Sequence, residues 1–475
     1  MANFTNMKRF LSFLVSVYVC LSLSAEVKYV FYFIGDGMGC NEVLAAEMYR
    51  AELAGQIGRS RLNMTGLPYV GLASTHSASN GITDSAAAGT ALATGSKTNN
   101  GTLGLSADGD TLTTIAERLK AQGWGVGLMT TVAIDHATPA AFYANVKKRD
   151  NYYEVARQLA FTDFDLFCGA GFHRPAPPEG TTGAYMYDFA EEHGYVLARG
   201  LKDAQAKQAE AKKMILVQQR DAADRRKKST GNFPYVIDGR PDDLYLKNLL
   251  PFAIEFLQQR SERFFMMIEG GMIDYAGHSR DGAANILETI DFDDAIGVAL
   301  EFYKQHPDET LIVVTADHET GGMALGNSNY TLNLQLLQHQ HCSASVLSDE
   351  IQALFKKGQK KPNWQTVRTI LENRLDFYNG VEITAEDETR LKNAFNKALK
   401  SKKQRSFKTM YKDLNLLCNA AIGTLNYKAK VGWTSYGHTA SSVPVFAIGQ
   451  GAEQFTGWMD NTDLVPKIMK VVSVQ

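Results

Sequence analysis

Four short apolar runs in this sequence each border a group of acidic and histidine residues. The runs are Lys28–Ile34, Phe264–Ile268, Leu311–Thr315 and Val443–Ile448. Short apolar runs of this kind are typical of buried strands. In open α/β sheets, ligands bind in the crevice outside the strand ends. The pattern therefore predicts an α/β fold with a doubly wound, largely parallel central sheet flanked by helices, and a polar site at one edge of the sheet.

The polar groups beside these runs predict a site for divalent cations. Carboxylates and imidazoles gathered at one edge would repel or desolvate one another, and buried charges are normally paired or bind metals. Asp274 and His278 are spaced i, i+4, which places both on one face of a helix. Asp317 and His318 directly follow a run, and His438 would complete a site. Imidazole combined with carboxylate suits zinc, whereas all-oxygen sets suit magnesium.

The small-residue segment Thr83–Gly95 predicts a helix that begins at or near Ser85. A helix N-terminus presents unpaired N–H groups and the positive end of the helix dipole. Such a position holds anions such as phosphate, and a serine there loses its proton at least cost. The alternative is a capped, tightly packed helix without a chemical role, because Asp and Ser are ordinary caps. The acidic and histidine residues elsewhere favour the functional interpretation.

The tripeptide Ala137-Thr138-Pro139 also has two interpretations. Taken alone, it predicts a helix start with Thr138 as N-cap and Pro139 at the first helical position. Taken with the whole segment Asp135–Ala141, and with Arg149 following, it favours a metal site.

Six motifs stand in an order that is found in a known enzyme family. They are G-D-G-M-G at Gly35–Gly39, T-D-S-A-A at Thr83–Ala87, the segment Thr94–Gly101, E-G-G-x-I-D-x-x-x-H at Glu269–His278, T-A-D-H at Thr315–His318 and G-H-T at Gly437–Thr439. The combination is highly specific, although no single motif would be. The chain resembles an alkaline phosphatase over nearly its whole length, apart from two insert regions.

The resemblance implies hydrolysis of phosphate monoesters at a site with two zinc ions and one magnesium ion. Ser85 resembles the nucleophile that becomes phosphorylated. The implied ligands are Asp274, His278 and His438 for the zinc that activates water and stabilises the leaving oxygen, Asp36, Asp317 and His318 for the zinc that holds the Ser85 oxygen, and Glu269 and Thr138, with Asp36 as a bridge, for magnesium.

The resemblance also implies a phosphate clamp. Arg149 resembles the arginine that binds the phosphoryl oxygens, and Asp84 the residue that orients its guanidinium. Arginine offers a planar fork that matches phosphate oxygens, which lysine does not. We expect the neighbouring Lys147 and Lys148 to lie on the solvated face.

Two further site residues occupy positions where the family varies. His136 stands where family members carry an acid or a histidine, and as a ligand it would move the third site away from a strict preference for magnesium. Tyr275 stands beside the substrate where others carry Lys, His or Trp, so its neutral ring brings no charge to the phosphate.

The composition fits an exported enzyme. The chain has 475 residues, is 45% hydrophobic and has a net charge of -2, which gives no sign of specific nucleic-acid binding. Residues 1–24 resemble a signal peptide, with Lys8 and Arg9 before the apolar stretch Phe10–Leu23 and small residues at the end. A lipoprotein signal through Cys20 is the weaker alternative. We therefore expect a periplasmic or extracellular protein that does not span a membrane.

The predicted domains follow the motifs. Residues 25–325 form the first part of the α/β core, 326–432 a mainly helical, crown-like insert, and 433–475 complete the core. Helical periodicity within the insert covers Leu347–Phe355, Trp364–Leu375 and Glu386–Leu399. Related enzymes often carry inserts here that cap the site or join subunits, which implies a homodimer. A second region, Lys202–Lys228, is polar and ends in a basic run.

The cysteines leave the disulfide pattern open. Cys40, Cys168, Cys342 and Cys418 follow the predicted signal peptide, and exported proteins can form disulfides. Cys342 and Cys418 both lie in the insert and are the favoured pair, whereas Cys40 fits a buried small apolar residue.

Other functions share parts of this pattern. A phosphodiesterase of the same superfamily would be expected to lack Thr138 and Glu269, which are present. A sulfatase needs an oxidised Cys or Ser in a C/S-x-P-x-R segment, which Ser85 does not have. A catalytically silent phosphate- or metal-binding protein predicts a broken site, yet no expected ligand is missing.

Overall fold

The computed structural model describes residues 26–218, 231–327, 329–355, 361–400 and 406–473. The predicted signal peptide, with Cys20, and the basic run at 225–228 lie outside the described residues. Within these ranges, no helix combines the length and the apolar character that a bilayer crossing needs.

The described strands number sixteen. In chain order they are β1 Tyr29–Ile34, β2 Tyr69–Ser74, β3 Gly125–Thr130, β4 Leu166–Gly169, β5 Tyr195–Arg199, β6 Lys213–Val217, β7 Phe264–Glu269, β8 Thr310–Thr315, β9 Glu319–Thr320, β10 Met323–Leu325, β11 Ser406–Lys408, β12 Asp413–Asn415, β13 Val431–Trp433, β14 His438–Thr439, β15 Val443–Gly449 and β16 Gly457–Asp460.

Ten of these strands form one central sheet in the order β16-β2-β15-β8-β1-β7-β3-β4-β6-β5. All neighbours pair in parallel except β15, which runs antiparallel to β2 and β8. The central strands β1, β7 and β8 are buried almost throughout, as expected for parallel strands that are covered on both faces. The predicted doubly wound, largely parallel sheet is confirmed, and all four apolar runs are strands within it.

Fifteen α-helices flank the sheet or follow it in the described residues. They are α1 Cys40–Leu53, α2 Ser85–Thr94, α3 Ile115–Ala121, α4 Ala137–Ala140, α5 Tyr152–Ala160, α6 Met186–Glu192, α7 Leu201–Lys207, α8 Leu246–Gln258, α9 Met272–His278, α10 Gly282–Gln305, α11 Ala344–Ala353, α12 Trp364–Leu375, α13 Ala385–Lys400, α14 Leu416–Ala429 and α15 Leu464–Val472.

The late part of the chain is mainly helical, as the sequence predicts. Helices α11, α12 and α13 coincide with the three periodic segments to within a few residues, and a short hairpin of β11 and β12 precedes α14. Buried residues of this part, such as Leu347, Leu371 and Leu417, belong to the same hydrophobic cluster as the sheet. The domain boundaries at 326 and 432 stay a prediction.

The cysteines differ from the expectation. All four described cysteines carry free thiols, so the favoured Cys342–Cys418 disulfide is not formed. Both thiols are buried, and that of Cys418 donates to the carbonyl oxygen of Ala344 at 3.1 Å. Cys40 is exposed at the first position of α1, so the prediction that it is buried is wrong. Burial there depends on which face of α1 packs against its neighbours, which the sequence does not specify.

Candidate active site

The site lies where three parallel strands end. Ile34 of β1 pairs with Glu269 of β7 on one side and with Thr315 of β8 on the other. Asp36 and Asp317, just beyond these ends, therefore reach the same edge as Glu269. All three carboxyl groups are fully buried. The pairing register of β1 with β7 and β8 therefore brings these acidic residues together at one edge of the sheet, as predicted.

The turn after β1 needs glycine at position 37. Gly37 has φ +77, and a Cβ atom there would lie 2.8 Å from Cα of Asp274. The N–H of Gly37 donates to Oδ1 of Asp317 at 3.1 Å. The turn thus brings the end of β1 into contact with both acidic segments.

Ser85 is the first residue of α2, as predicted. Asp84 is the N-cap, and its Oδ1 accepts from the N–H of Ala87 at 3.0 Å. The fully buried Ser85 hydroxyl lies 3.1 Å from Nε2 of His318. A helix N-terminus stabilises negative charge, so it suits a serine that loses its proton and binds phosphate.

The first cluster of possible metal ligands comprises Asp274, His278 and His438. Asp274 and His278 lie one turn apart in α9, and Nε2 of His278 is 3.4 Å from Oδ1 of Asp274. His438 reaches the same point because β15, which follows it, runs antiparallel to β8 and so begins near the edge where β8 ends. Nε2 of His438 is 3.6 Å from the same oxygen.

The tautomers of these two histidines follow from their partners. Nδ1 of His278 lies 2.6 Å from the carbonyl oxygen of Tyr436, and Nδ1 of His438 lies 2.9 Å from that of Thr83. A carbonyl oxygen only accepts, so both Nδ1 atoms carry the proton and a neutral ring has its lone pair on Nε2. The two Nε2 atoms are 3.2 Å apart. Burial also lowers the pKa of His438 to about 4, which keeps that ring neutral. Two Nε2 atoms and a carboxylate oxygen converge on one point, an arrangement that suits zinc.

The second predicted set also converges. Nε2 of His318 lies 3.1 Å from Oδ2 of Asp317 and 3.5 Å from Oδ1 of Asp36. Its ring stacks on that of His438 with 3.5 Å between centroids. The ligand oxygens of Asp36 and Asp274 and a ring nitrogen of His318 lie within 4.8 Å of one another, so Asp274 lies between the first and second sets.

The third set comprises Asp36, His136 and Glu269, whose ligand atoms also lie within 4.8 Å. The hydroxyl of Thr138 donates to Oδ2 of Asp36 at 3.2 Å. His136 rather than Thr138 occupies the N-cap position of the one-turn α4, so the helix-cap interpretation of Thr138 is wrong. The Thr138 hydroxyl instead donates to Asp36, which is about a hundred residues earlier in the chain, so the tripeptide alone could not reveal this contact.

Asp36 and Glu269 lie in surroundings that disfavour their negative charge. Burial, then Asp317 and Asp274, raise the pKa of Asp36 well above its ordinary value, and burial raises the pKa of Glu269 to about 8. Several buried ligand atoms find no hydrogen-bond partner among the described residues; they are Oδ1 of Asp36, Oε1 of Glu269, Oδ2 of Asp274 and Nδ1 of His136. Orphaned carboxylate oxygens and imidazole nitrogens fit bound cations.

Arg149 and Asp84, which the sequence predicts to form a phosphate clamp, pair with each other, and Asp84 directly precedes Ser85 in the chain. Nη1 of Arg149 donates to Oδ2 of Asp84 at 3.1 Å, and Oδ1 of Asp84 also accepts from the N–H of Gly101 at 3.0 Å. Burial acts to raise the pKa of Asp84, but Arg149 and the backbone donors outweigh it and lower that pKa. Arg149 is buried, whereas Lys147 and Lys148 are exposed, as predicted.

Sequence reasoning missed three residues of the site. The hydroxyl of Thr130 donates to Glu269 and that of Thr320 to Asp274. Tyr411, from the mainly helical late region (residues 326–432), stacks on the predicted substrate residue Tyr275 with 3.7 Å between ring centroids. Thr320 lies two residues after the motif at Thr315–His318, which is a weak signal, whereas Thr130 ends β3 beside no motif. Tyr411 stands in no motif, so only the folded chain reveals it.

Comparison with known proteins agrees with this geometry. The family model for alkaline phosphatase matches residues 27–474. The chain belongs to the alkaline phosphatase family.

Relatives of this alkaline phosphatase cover nearly all of its chain. It is 30% identical to alkaline phosphatase 4 of Bacillus subtilis, over 94% of this chain and 89% of that protein. The crystal structure of the cold-active alkaline phosphatase of Shewanella sp. is similar at 28% identity and a TM-score of 0.76, covering 93% of this chain and 99% of that one. The alkaline phosphatase of Thermus thermophilus is similar at 25% identity and a TM-score of 0.77, covering 96% and 93%.

These findings confirm the family, the fold and the enzyme class inferred from the sequence. As an alkaline phosphatase, the protein is a metal-dependent phosphoric monoester hydrolase. The role of each residue and the identity of each ion stay predictions.

Proposed function

We propose that this alkaline phosphatase hydrolyses phosphate monoesters through a phosphoserine on Ser85, at a site for two zinc ions and one magnesium ion. The observation that carries the proposal is the position of the Ser85 hydroxyl. It lies at a helix N-terminus, 3.1 Å from Nε2 of His318, within a buried group of carboxylates and imidazoles.

The residues present fit these ions. The mixed nitrogen and oxygen donors of the first two sets suit zinc, and the third set adds the oxygens of Glu269, Thr138 and Asp36. His136 would bind an ion of the third set through Nδ1, which requires the tautomer with the proton on Nε2 and therefore a change in the 3.2 Å contact between Nε2 and Arg149; as a ligand it would weaken the preference of this site for magnesium. When bound, the ions supply positive charge for both the attacking and the leaving oxygen of an in-line displacement.

The chain's own groups then perform the transfer. The Ser85 oxygen forms a bond to phosphorus while the bond from phosphorus to the alcohol oxygen breaks, and the proton given up by the Ser85 hydroxyl ends on the departing alcohol. Water later attacks the same phosphorus, the bond from phosphorus to the Ser85 oxygen breaks, and a proton from the water returns to Ser85 as phosphate leaves. Arg149 binds two phosphoryl oxygens throughout, with its guanidinium held by Asp84. Phosphoryl transfer depends chiefly on such positioning and charge stabilisation.

A phosphodiesterase of the same superfamily is the nearest alternative. The contact between Thr138 and Asp36, and the place of Glu269 in the third set, support a complete third site and therefore a monoesterase. A catalytically silent phosphate- or metal-binding protein is the other alternative. Against it, every predicted ligand lies in one of the converging sets.

A turnover assay separates these functions. We expect the zinc- and magnesium-loaded protein to release the chromophore from an aryl phosphate monoester far faster than from the matching diester. Chelation should abolish the activity and zinc should restore it. Faster turnover of the diester would support a phosphodiesterase, and turnover of neither would support a binding protein.

Export and dimerisation also belong to the proposal. Residues 1–24 would be removed on export to the periplasm or medium, and the segment 326–432 would cap the site or join two subunits. N-terminal sequencing of the exported protein and its mass in solution test these two points. A retained leader would contradict export with cleavage after residue 24, and a monomeric mass would contradict dimerisation.

A further inference from the structure

A tyrosine of the helical late region reaches across the candidate site. Tyr411 lies in the turn between β11 and β12, and its ring stacks on Tyr275 at 3.7 Å and 15°. The same ring meets His278 at 5.2 Å and 79°, and His136 at 5.9 Å and 59°. It therefore extends from the first ligand set to the residues beside the phosphate clamp.

The hydroxyl of Tyr411 is directed at the clamp. Its oxygen lies 3.5 Å from Nε2 of His136. Nη2 of Arg149 lies 3.2 Å from the same nitrogen. The phenol and the guanidinium thus converge on one point, and an anion bound by Arg149 would lie within reach of the hydroxyl.

The hairpin that carries Tyr411 contacts α11 through Lys412 and the segment before His438 through Phe407. Nζ of Lys412 contacts Oδ2 of Asp349 on α11 at 2.6 Å. The N–H of Thr409 donates to the carbonyl oxygen of Lys412 at 3.2 Å and closes the turn. The ring of Phe407 packs on Tyr436 at 4.4 Å, and the carbonyl of Tyr436 holds His278. The position of the ring over the site is therefore fixed by the fold.

We propose that Tyr411 is a further substrate-binding residue, whose hydroxyl donates to a phosphoryl oxygen of the ester beside Arg149. This inference rests on the proposed function. The ring of Tyr275, nearly parallel to that of Tyr411 and in contact with it, restricts the orientation of the phenol. The hydroxyl adds a neutral donor to the charged clamp, so it strengthens phosphate binding without altering the charge of the site.

The test compares Tyr411→Phe, which keeps the stack, with Tyr411→Leu, which removes it. The readout is the Kd of inorganic phosphate by calorimetry on the metal-loaded protein, together with KM and kcat for an aryl phosphate. One neutral hydrogen bond corresponds to a loss of about three- to tenfold. For Tyr411→Phe we expect phosphate affinity to fall and KM to rise by this factor, with unchanged metal content and melting temperature. Tyr411→Leu should lose at least as much. The exposed Tyr427→Phe, also in the late region, is the matched control and should behave as wild type.

The outcomes separate the two claims. If wild type binds phosphate and turns over the ester, but Tyr411→Phe binds phosphate within twofold of wild type, the residue only packs and the inference is wrong. If wild type neither binds phosphate nor hydrolyses the ester, the proposed function fails and this inference fails with it.

Discussion

Nε2 of His278 and Nε2 of His438 lie 3.2 Å apart, with the Nδ1 proton of each ring directed at a backbone carbonyl. Two imidazole lone pairs so close together repel unless a cation lies between them. Removing one imidazole should therefore empty one metal site without disturbing the fold.

We expect His438→Ala to lose about one zinc ion per chain and most turnover, because no neighbouring residue can replace this ligand. Elemental analysis after gel filtration measures the loss. The exposed His76→Ala, at a histidine paired with Asp460, is the control and should keep full metal content. Wild-type metal content in His438→Ala would contradict the assignment of this residue.

Substitutions of Arg149 test whether this residue binds the phosphate. Arg149→Ala should leave the metals in place but weaken binding of substrate and inorganic phosphate. A charge-assisted contact contributes about 1.5–3 kcal/mol, so kcat/KM should fall by roughly one to two powers of ten. Arg149→Lys should recover only part of the loss, because lysine lacks the planar fork.

The neighbouring lysines are the controls for the clamp. Lys147→Ala and Lys148→Ala remove exposed charges of the same sign and should change kcat/KM little. If either lysine variant has the large effect and Arg149→Ala is silent, the placement of the clamp is wrong.

Asp281, which lies between the core and the helices of the late region, is expected to make the stability of the protein depend on pH. Its Oδ2 accepts from the N–H of Ala344 at 2.6 Å, and burial raises its pKa from 3.8 to about 6. Because the folded pKa is the higher one, the stabilisation is complete below about pH 4 and is lost as pH rises towards 6.

The asparagine of Asp281→Asn cannot ionise, so the stability of this variant relative to wild type should increase as pH rises. Between pH 4 and 7, the free energy of unfolding of wild type should fall relative to the variant by about 2–3 kcal/mol. Denaturant titrations at several pH values measure this difference. The exposed Asp308→Asn is the control, and a difference for Asp281→Asn that does not vary with pH would contradict the prediction.

The part of the site that the sequence could predict depends on local signals. Ser85 begins its helix because Asp84 caps it, and Asp274 and His278 share a helical turn, so spacing alone places them correctly. The strands could also be predicted from a local signal, because a strand buried on both faces needs a continuous run of apolar side chains.

The rest depends on long-range packing. His438 reaches the site because β15 is antiparallel to its neighbours, and a strand's direction cannot be read from an apolar run. Tyr411 stacks on Tyr275 through a hairpin anchored on α11, and no spacing in the sequence relates these two tyrosines. The exposure of Cys40 likewise depends on which face of α1 packs against neighbouring helices such as α10.

The proposed reaction requires Ser85 to carry the phosphoryl group between the two half-reactions. The most direct measurement is acid quenching of the metal-loaded enzyme during turnover of a ³²P-labelled monoester, followed by peptide mapping. We expect the label on the peptide that contains Ser85, and none in Ser85→Ala, which should keep its metals but lose most turnover. Ser441→Ala, at an exposed serine close to His438 in the chain, should be labelled like wild type. Label on any other residue, or full turnover by Ser85→Ala, would contradict the claim.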